Sequence, residues 1–256
     1  MTIPPSPHFT PLSLTTAFNL DWQTLTGNLQ APADAALVSG EQSYLGIPFL
    51  CGGANEANVI LLDQTPVTVD VGDQRATYLL FLHLVEDRTS NYQDGLADYS
   101  IDGNELGDLV SDYVLEYADG SQVSTPILRR FAIQQGHIQW GASAFTAQPA
   151  RKPGAFPTVT EAIRLGRQPN GDYGRGETRH VAGRERGWDQ LWVYALPNPH
   201  PEHPIRRLLL KPQQERSLVF AITLTDVESH PLRPGVRQKL RLPLPAGAKL
   251  NAQGEL

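Results

Sequence analysis

From Thr77 to Val85 the chain is apolar at nearly every position, with His83 the polar exception. A strand turns successive side chains to opposite faces, so a run without polar alternates has to be buried on both, as in a central strand. Asn58 to Leu62 and Val67 to Val71 precede this run as further strands, each bounded by Gly, Pro, Asp or Asn. Their spacing, roughly 8–12 residues, is that of a sandwich or barrel.

Turn chemistry is spread along the whole chain. Its 22 Gly and 21 Pro stand between short apolar runs and form no repeat, which excludes collagen, a coiled coil and a helical bundle. With 40% hydrophobic residues and a net charge of −6, the 256-residue chain is too apolar to be disordered and long enough to bury a core. Residues 112–132 read as a hairpin: Tyr113, Leu115 and Tyr117 alternate with polar residues, Asp119-Gly120 supplies a two-residue turn, and Val123, Thr125 and Ile127 return. Further strands are read at Gln190–Leu196, Ile205–Leu210 and Ser217–Thr225, the last with Leu218, Phe220, Ile222 and Leu224 on one face and smaller residues opposite. Leu240, Leu242 and Leu244 alternate as an edge, and Thr160 to Arg167 holds a short turn of helix.

The expected fold is therefore all-β, an antiparallel two-sheet β-sandwich of the jelly-roll kind. Residues 1–14 form an extended N-terminal segment, 15–244 one sandwich domain and 245–256 a tail. A long irregular insertion over about 148–187 interrupts the rhythm. Connections beyond about 12–15 residues in a compact domain are functional loops or floppy insertions, and both readings stay open.

Charge is divided between the halves. Residues 1–128 carry 17 acidic and two basic residues, whereas 129–256 carry 10 acidic and 19 basic. In one compact domain such halves interleave and neutralise each other. A nucleic-acid binder would show a basic total and a concentrated patch, which a pI near 5.6 opposes. The longest apolar stretch is far short of the roughly 20 residues of a membrane span, and the first residues show no signal peptide. The chain as written is thus expected to be cytoplasmic, or extracellular as a piece of a longer protein. Cys51 is the one cysteine, so no internal disulfide forms, and it reads as a small core residue.

Chemistry-bearing motifs are few. A calcium loop is approached by Asp98, Ser100, Asp102 and Gly103, but its twelfth position is Leu109, where a bidentate acid is required. A structural calcium among Asp94, Asp98, Asp102 and Asp108 is the one cofactor expectation. His200 and His203 stand in a proline-rich corner and read as solvent-facing histidines before zinc ligands. No nucleophile elbow, phosphate loop or dinucleotide fingerprint is present. Trp188, Trp192 and Tyr194 follow Arg184-Glu185-Arg186, and the insertion adds Tyr173. Aromatic faces with planar polar partners are the chemistry of sugar recognition, so Trp188, Arg186, Arg184, Tyr173 and Trp192 are the candidate ligand residues. Strand alternation also places Trp192 and Tyr194 on one face together, as core.

The succession Gly46-Ile47-Pro48-Phe49, Leu80-Phe81-Leu82-His83, Tyr117-Ala118-Asp119-Gly120-Ser121 and Trp192-Val193-Tyr194 before Asn198-Pro199-His200-Pro201 resembles the galactose-binding-like jelly-roll modules attached to bacterial carbohydrate-active and related hydrolases. The resemblance spans roughly residues 15–228. It implies a two-sheet antiparallel sandwich, often non-catalytic, sometimes with a structural calcium and a sugar site on end loops. The expected function is a carbohydrate-binding or accessory module whose partner is a glycan or a catalytic domain, with neither nucleic acid nor membrane as partner. Two alternatives are a hydrolase or lyase acting on an anionic glycan and a structural domain for interdomain or oligomer contact.

Overall fold

The computed structural model describes residues 7–29, 38–54, 56–88, 106–136, 143–150 and 191–233. Within them helical structure is confined to short 3-10 turns, Trp22–Thr24 and Gly27–Leu29 among them, and the strands pair antiparallel throughout. The strands are β1 (Phe9–Pro11), β2 (Glu41–Tyr44), β3 (Ile47–Leu50), β4 (Ile60–Leu62), β5 (Val67–Gln74), β6 (Tyr78–Val85), β7 (Leu109–Tyr117), β8 (Gln122–Leu128), β9 (Gln148–Pro149), β10 (Trp192–Pro197), β11 (Ile205–Pro212) and β12 (Ser217–Thr225). A six-stranded sheet has the order β1-β12-β6-β10-β9, with β4 also paired to β12, and a four-stranded sheet has the order β5-β11-β7-β8. A two-stranded hairpin, β2-β3, completes the set. The chain is an all-β sandwich, an architecture compatible with a jelly roll.

The apolar run from Thr77 to Val85 lies in the middle of the larger sheet. Leu79, Phe81 and Val85 of β6 enter the core shared with Val69, Tyr113, Leu115, Leu208 and Leu210 of the four-stranded sheet. Leu80, Leu82 and Leu84 enter a second core with Trp22, Leu29, Tyr44, Ile47 and Phe49, beneath the hairpin. Both faces are covered, which is why the run needs no polar alternates. β12 is buried at all nine positions for the same reason.

Two local expectations need correction. In β12 the register shifts between Val219 and Ala221 against β6. A bulge of this kind reverses which residues face which side. Leu218 and Phe220 therefore join the hairpin core, while Ile222 and Leu224 join the core between the sheets. The β7–β8 connection is one residue longer than a two-residue turn. Gly120 N–H donates to Tyr117 O (2.9 Å), Tyr117 N–H donates to Ser121 O (2.9 Å), and only Gly120 has a positive φ, +86°. This is a three-residue loop, a type I turn closed by a left-handed glycine. Asp119 stays at negative φ and its Oδ1 accepts from Ser121 N–H and Oγ–H instead. The alternation at Leu240–Leu244 and the helical turn at Thr160–Arg167 lie outside the described residues, as does nearly all of the 148–187 insertion.

Candidate functional site

One end of the sandwich holds a buried cluster of charge. It forms where β6 ends, β7 begins, β8 ends and β12 begins, because the β6–β12 register sets Val85 opposite Ser217 and the β7–β8 register sets Leu109 opposite Leu128. Arg129, just past β8, has no exposed surface. Its Nε donates to Glu215 Oε2 (3.0 Å) and its Nη2 to Glu215 Oε1 (2.7 Å) and Glu86 O (2.8 Å), while Nη1 donates to Gln135 Oε1 (2.8 Å). A guanidinium buried without such partners would carry a cost of several kcal/mol, so this fork of acceptors is what permits its burial.

The network extends outward through Glu215. Arg88 Nε donates to Glu215 Oε1 (2.7 Å), and Arg88 Nη1 to Asp108 Oδ2 (2.7 Å). Arg216 holds Glu86 with two guanidinium bonds, 2.9 and 2.7 Å. Gln135 ties the network to β10, because its backbone O accepts from the indole N–H of Trp192 (2.9 Å). The residues that flank 89–105, 137–142 and 151–190 all lie at this end: Arg88 and Leu106, Gly136 and Ser143, Ala150 and Leu191.

Just outside the charge cluster the chain presents aromatic surface. Arg130 sits at φ +61°, in the left-handed region, and follows the inward-pointing Arg129. Phe131 and Phe145 are 36% and 61% exposed, and their rings lie 5.5 Å apart. The Arg130 guanidinium stands 5.6 Å from the Phe145 ring centroid, within reach of a cation–π contact.

Of the ligand residues expected from sequence, Trp192 alone is described. It is fully buried, opposite His83 in the β6–β10 register, and its indole N–H is used on Gln135. The core reading is the one its surroundings fit, and no ring face is left for a ligand. Trp188, Arg186, Arg184 and Tyr173 lie outside the described residues, as do Asp94, Asp98 and Asp102. Asp108 is described, and its carboxylate faces Arg88.

His83 is a core residue, while His200 and His203 are partly exposed. His83 is fully buried; Nε2 lies 2.9 Å from Ala132 O and Nδ1 lies 3.1 Å from the Tyr113 hydroxyl. A carbonyl only accepts, so Nε2 carries the proton and Nδ1 accepts from Tyr113. Burial lowers the His83 pKa to about 4, partly offset by the bond to Ala132, and the ring is a neutral core residue. At the opposite end of the sandwich, His200 and His203 pack edge-on to Tyr117, whose hydroxyl donates to Asn198 Oδ1 (2.6 Å). Among the described residues no group of three His, Cys, Asp or Glu is placed to hold a metal ion. Cys51 is buried, and burial pushes its thiol up to about 12, so it stays neutral as a small core residue. No described helix is long and apolar enough to cross a membrane.

Sequence reasoning missed the charge cluster and the phenylalanine pair. Arg88, Arg129 and Glu215 are far apart in the chain and fit no spacing rule. Arg129-Arg130-Phe131 does offer a signal: two arginines directly after an alternating strand, of which continued alternation would turn one inward.

No family profile, curated protein or solved structure matches the chain.

Proposed function

We propose that the chain is a non-catalytic carbohydrate-binding or accessory β-sandwich module, of the galactose-binding-like kind that its sequence resembles. The observation that carries this reading is the gathering at one sandwich end of the residues flanking 89–105, 137–142 and 151–190, on a framework locked by Arg129, Glu215 and Arg88. Binding sites are placed on loops held by a rigid scaffold, and the 151–190 stretch contains Trp188, Arg186, Arg184 and Tyr173. The carboxylates Glu86, Asp108 and Glu215 at this end are each held by an arginine. That arrangement favours a structural use of these acids over general acid or base work, and so favours binding over hydrolysis.

The test is an array of neutral and acidic glycans probed with the full chain, in calcium and in chelator. Selective binding that Trp188→Ala or Arg186→Ala weakens is the expected result, and a difference between the two buffers would assign a calcium to the site. A folded chain that binds no glycan refutes the reading and leaves the structural-domain alternative.

A further inference from the structure

Two turns meet at the end of the sandwich opposite the charge cluster. One is the β7–β8 loop with Asp119, and the other is the corner 198–204 between β10 and β11, where Pro199, Pro201 and Pro204 fix the course of the chain. Ala118 N–H donates to Pro204 O (2.9 Å) and so joins the two turns, while His203 N–H donates to His200 O (3.0 Å) within the corner. Asn198 ties the corner to the sheets: its amide donates to Ala76 O (2.8 Å), and its Oδ1 accepts from the Tyr117 hydroxyl (2.6 Å).

His203 stands between the turns with a carboxylate facing each ring nitrogen. Its Nδ1 lies 3.5 Å from Asp119 Oδ2 and its Nε2 lies 3.5 Å from Glu202 Oε1. A neutral imidazole has one N–H and one lone pair, and a carboxylate only accepts. In either tautomer, one of the two contacts therefore sets a lone pair against a negative charge. Only the imidazolium donates to both. Each separation is longer than the roughly 2.8 Å of a charge-assisted bond, and the three side chains are exposed enough to close it by rotation with the backbone unmoved.

The surroundings support that response. Asp119 Oδ1 accepts from the Ser121 hydroxyl (2.6 Å) and N–H (2.9 Å), which leaves Oδ2 toward His203 and holds the carboxyl below its usual range. It is thus ionised wherever a histidine titrates. The Tyr117 ring lies edge-on to His203 with centroids 5.8 Å apart, and burial keeps its phenol neutral. His200 is the competing group: its ring is 5.6 Å from that of His203, and its Nδ1 is 3.8 Å from the same Glu202 oxygen. Two imidazoliums would share that carboxylate, but His203 also has Asp119.

We propose that His203 is a proton-operated clasp, joining the β7–β8 loop to the corner 198–204 when its ring is protonated and releasing it when the ring is neutral. The added proton supplies the second N–H, so the tie is present in acid and is lost as the pH rises through the ordinary histidine range, near about 6.5. The clasp is independent of the glycan reading.

The experiment is a double-mutant cycle on the full chain, His203→Gln with Asp119→Asn, by urea denaturation at about pH 5.5 and about pH 8, on either side of the histidine range. In acid the coupling is expected to be about two- to fivefold in the unfolding constant, the scale of an exposed ion pair, and at the higher pH to vanish. A cycle with Glu202→Gln should behave alike. Raising NaCl to about 1 M, where charges are screened over about 3 Å, should remove both couplings. His83 is common to every member of a cycle and cancels. Amide exchange at Ala118 gives a local readout: its protection should be greater in acid by a similar factor in the wild type, and not in His203→Gln. A coupling that is absent in acid, or equal at the two pH values, overturns the clasp, as does an Ala118 amide whose pH response survives His203→Gln.

Discussion

Glu215→Gln should be among the most damaging single substitutions in this protein. Glu215 accepts three charge-assisted hydrogen bonds, two from Arg129 and one from Arg88, at 3.0, 2.7 and 2.7 Å. Gln keeps the shape but turns one acceptor into an N–H₂ donor that faces arginine donors. Arg129, with no exposed surface, then retains only neutral acceptors, Gln135 Oε1 and Glu86 O. Breaking a buried pair from one side costs about 3–5 kcal/mol, because the surviving charge stays desolvated. For comparison, removing Glu116 from its 3.7 Å contact with the exposed Arg207 should cost at most about 1 kcal/mol. Urea denaturation of the two variants measures both. A loss below about 1 kcal/mol for Glu215→Gln would refute the argument that this cluster is a locked framework. A pair of apolar replacements, Arg129→Met with Glu215→Leu, should recover much of the loss, since it removes both charges together.

Acid should destabilise the fold through His83. Its folded pKa is lowered from 6.5 to about 4, so between these values the unfolded chain binds a proton that the folded chain excludes. Stability is therefore full above about pH 6.5 and falls as the pH drops, by about 3 kcal/mol over the window. His230, whose pKa burial and Arg233 also lower, acts in the same direction. Histidine resonances followed by NMR provide the check: an His83 imidazole titrating near 6.5 contradicts the reasoning. Gly52→Ala should cost about 1–3 kcal/mol, because its Cβ would lie 2.4 Å from the Cα of Asn58, whose Oδ1 accepts from Trp22 N–H. Gly53→Ala meets only the flexible end of Glu56 and should be much milder, and thermal melts of the two variants should separate them.

The strands were legible because burial on two faces leaves a plain mark. The run from Thr77 to Val85 is read from its apolar density and the Ser217–Thr225 strand from its alternation, and strands stand at both places. Their faces are harder, since the bulge after Val219 depends on how β12 pairs with β6, a partner distant in sequence. The hairpin β2-β3 escaped prediction because its turn, Leu45-Gly46, places a leucine at φ +56°, where propensity would not set one. Trp192 shows the limit for sites: an aromatic beside arginines reads as a ligand residue and, by alternation, equally as core, and its complete burial in the second core decides between them. The same limit hid Arg129, whose partner Glu215 lies 86 residues away.

The central position of β6 has a consequence for how the chain is made. β6 pairs with β10 and β12, and its neighbour Thr77 bonds across 148 residues to Thr225. Synthesis from the amino terminus thus delivers the most apolar strand long before either of its neighbours exists. Non-local pairing of this kind folds slowly, on the millisecond-to-second scale, and leaves sticky edges open meanwhile. Because β12 also partners β1 and β4, a nascent chain that stops short of Ser217 lacks the strand that joins all three, and such a fragment belongs with chaperones or in aggregates.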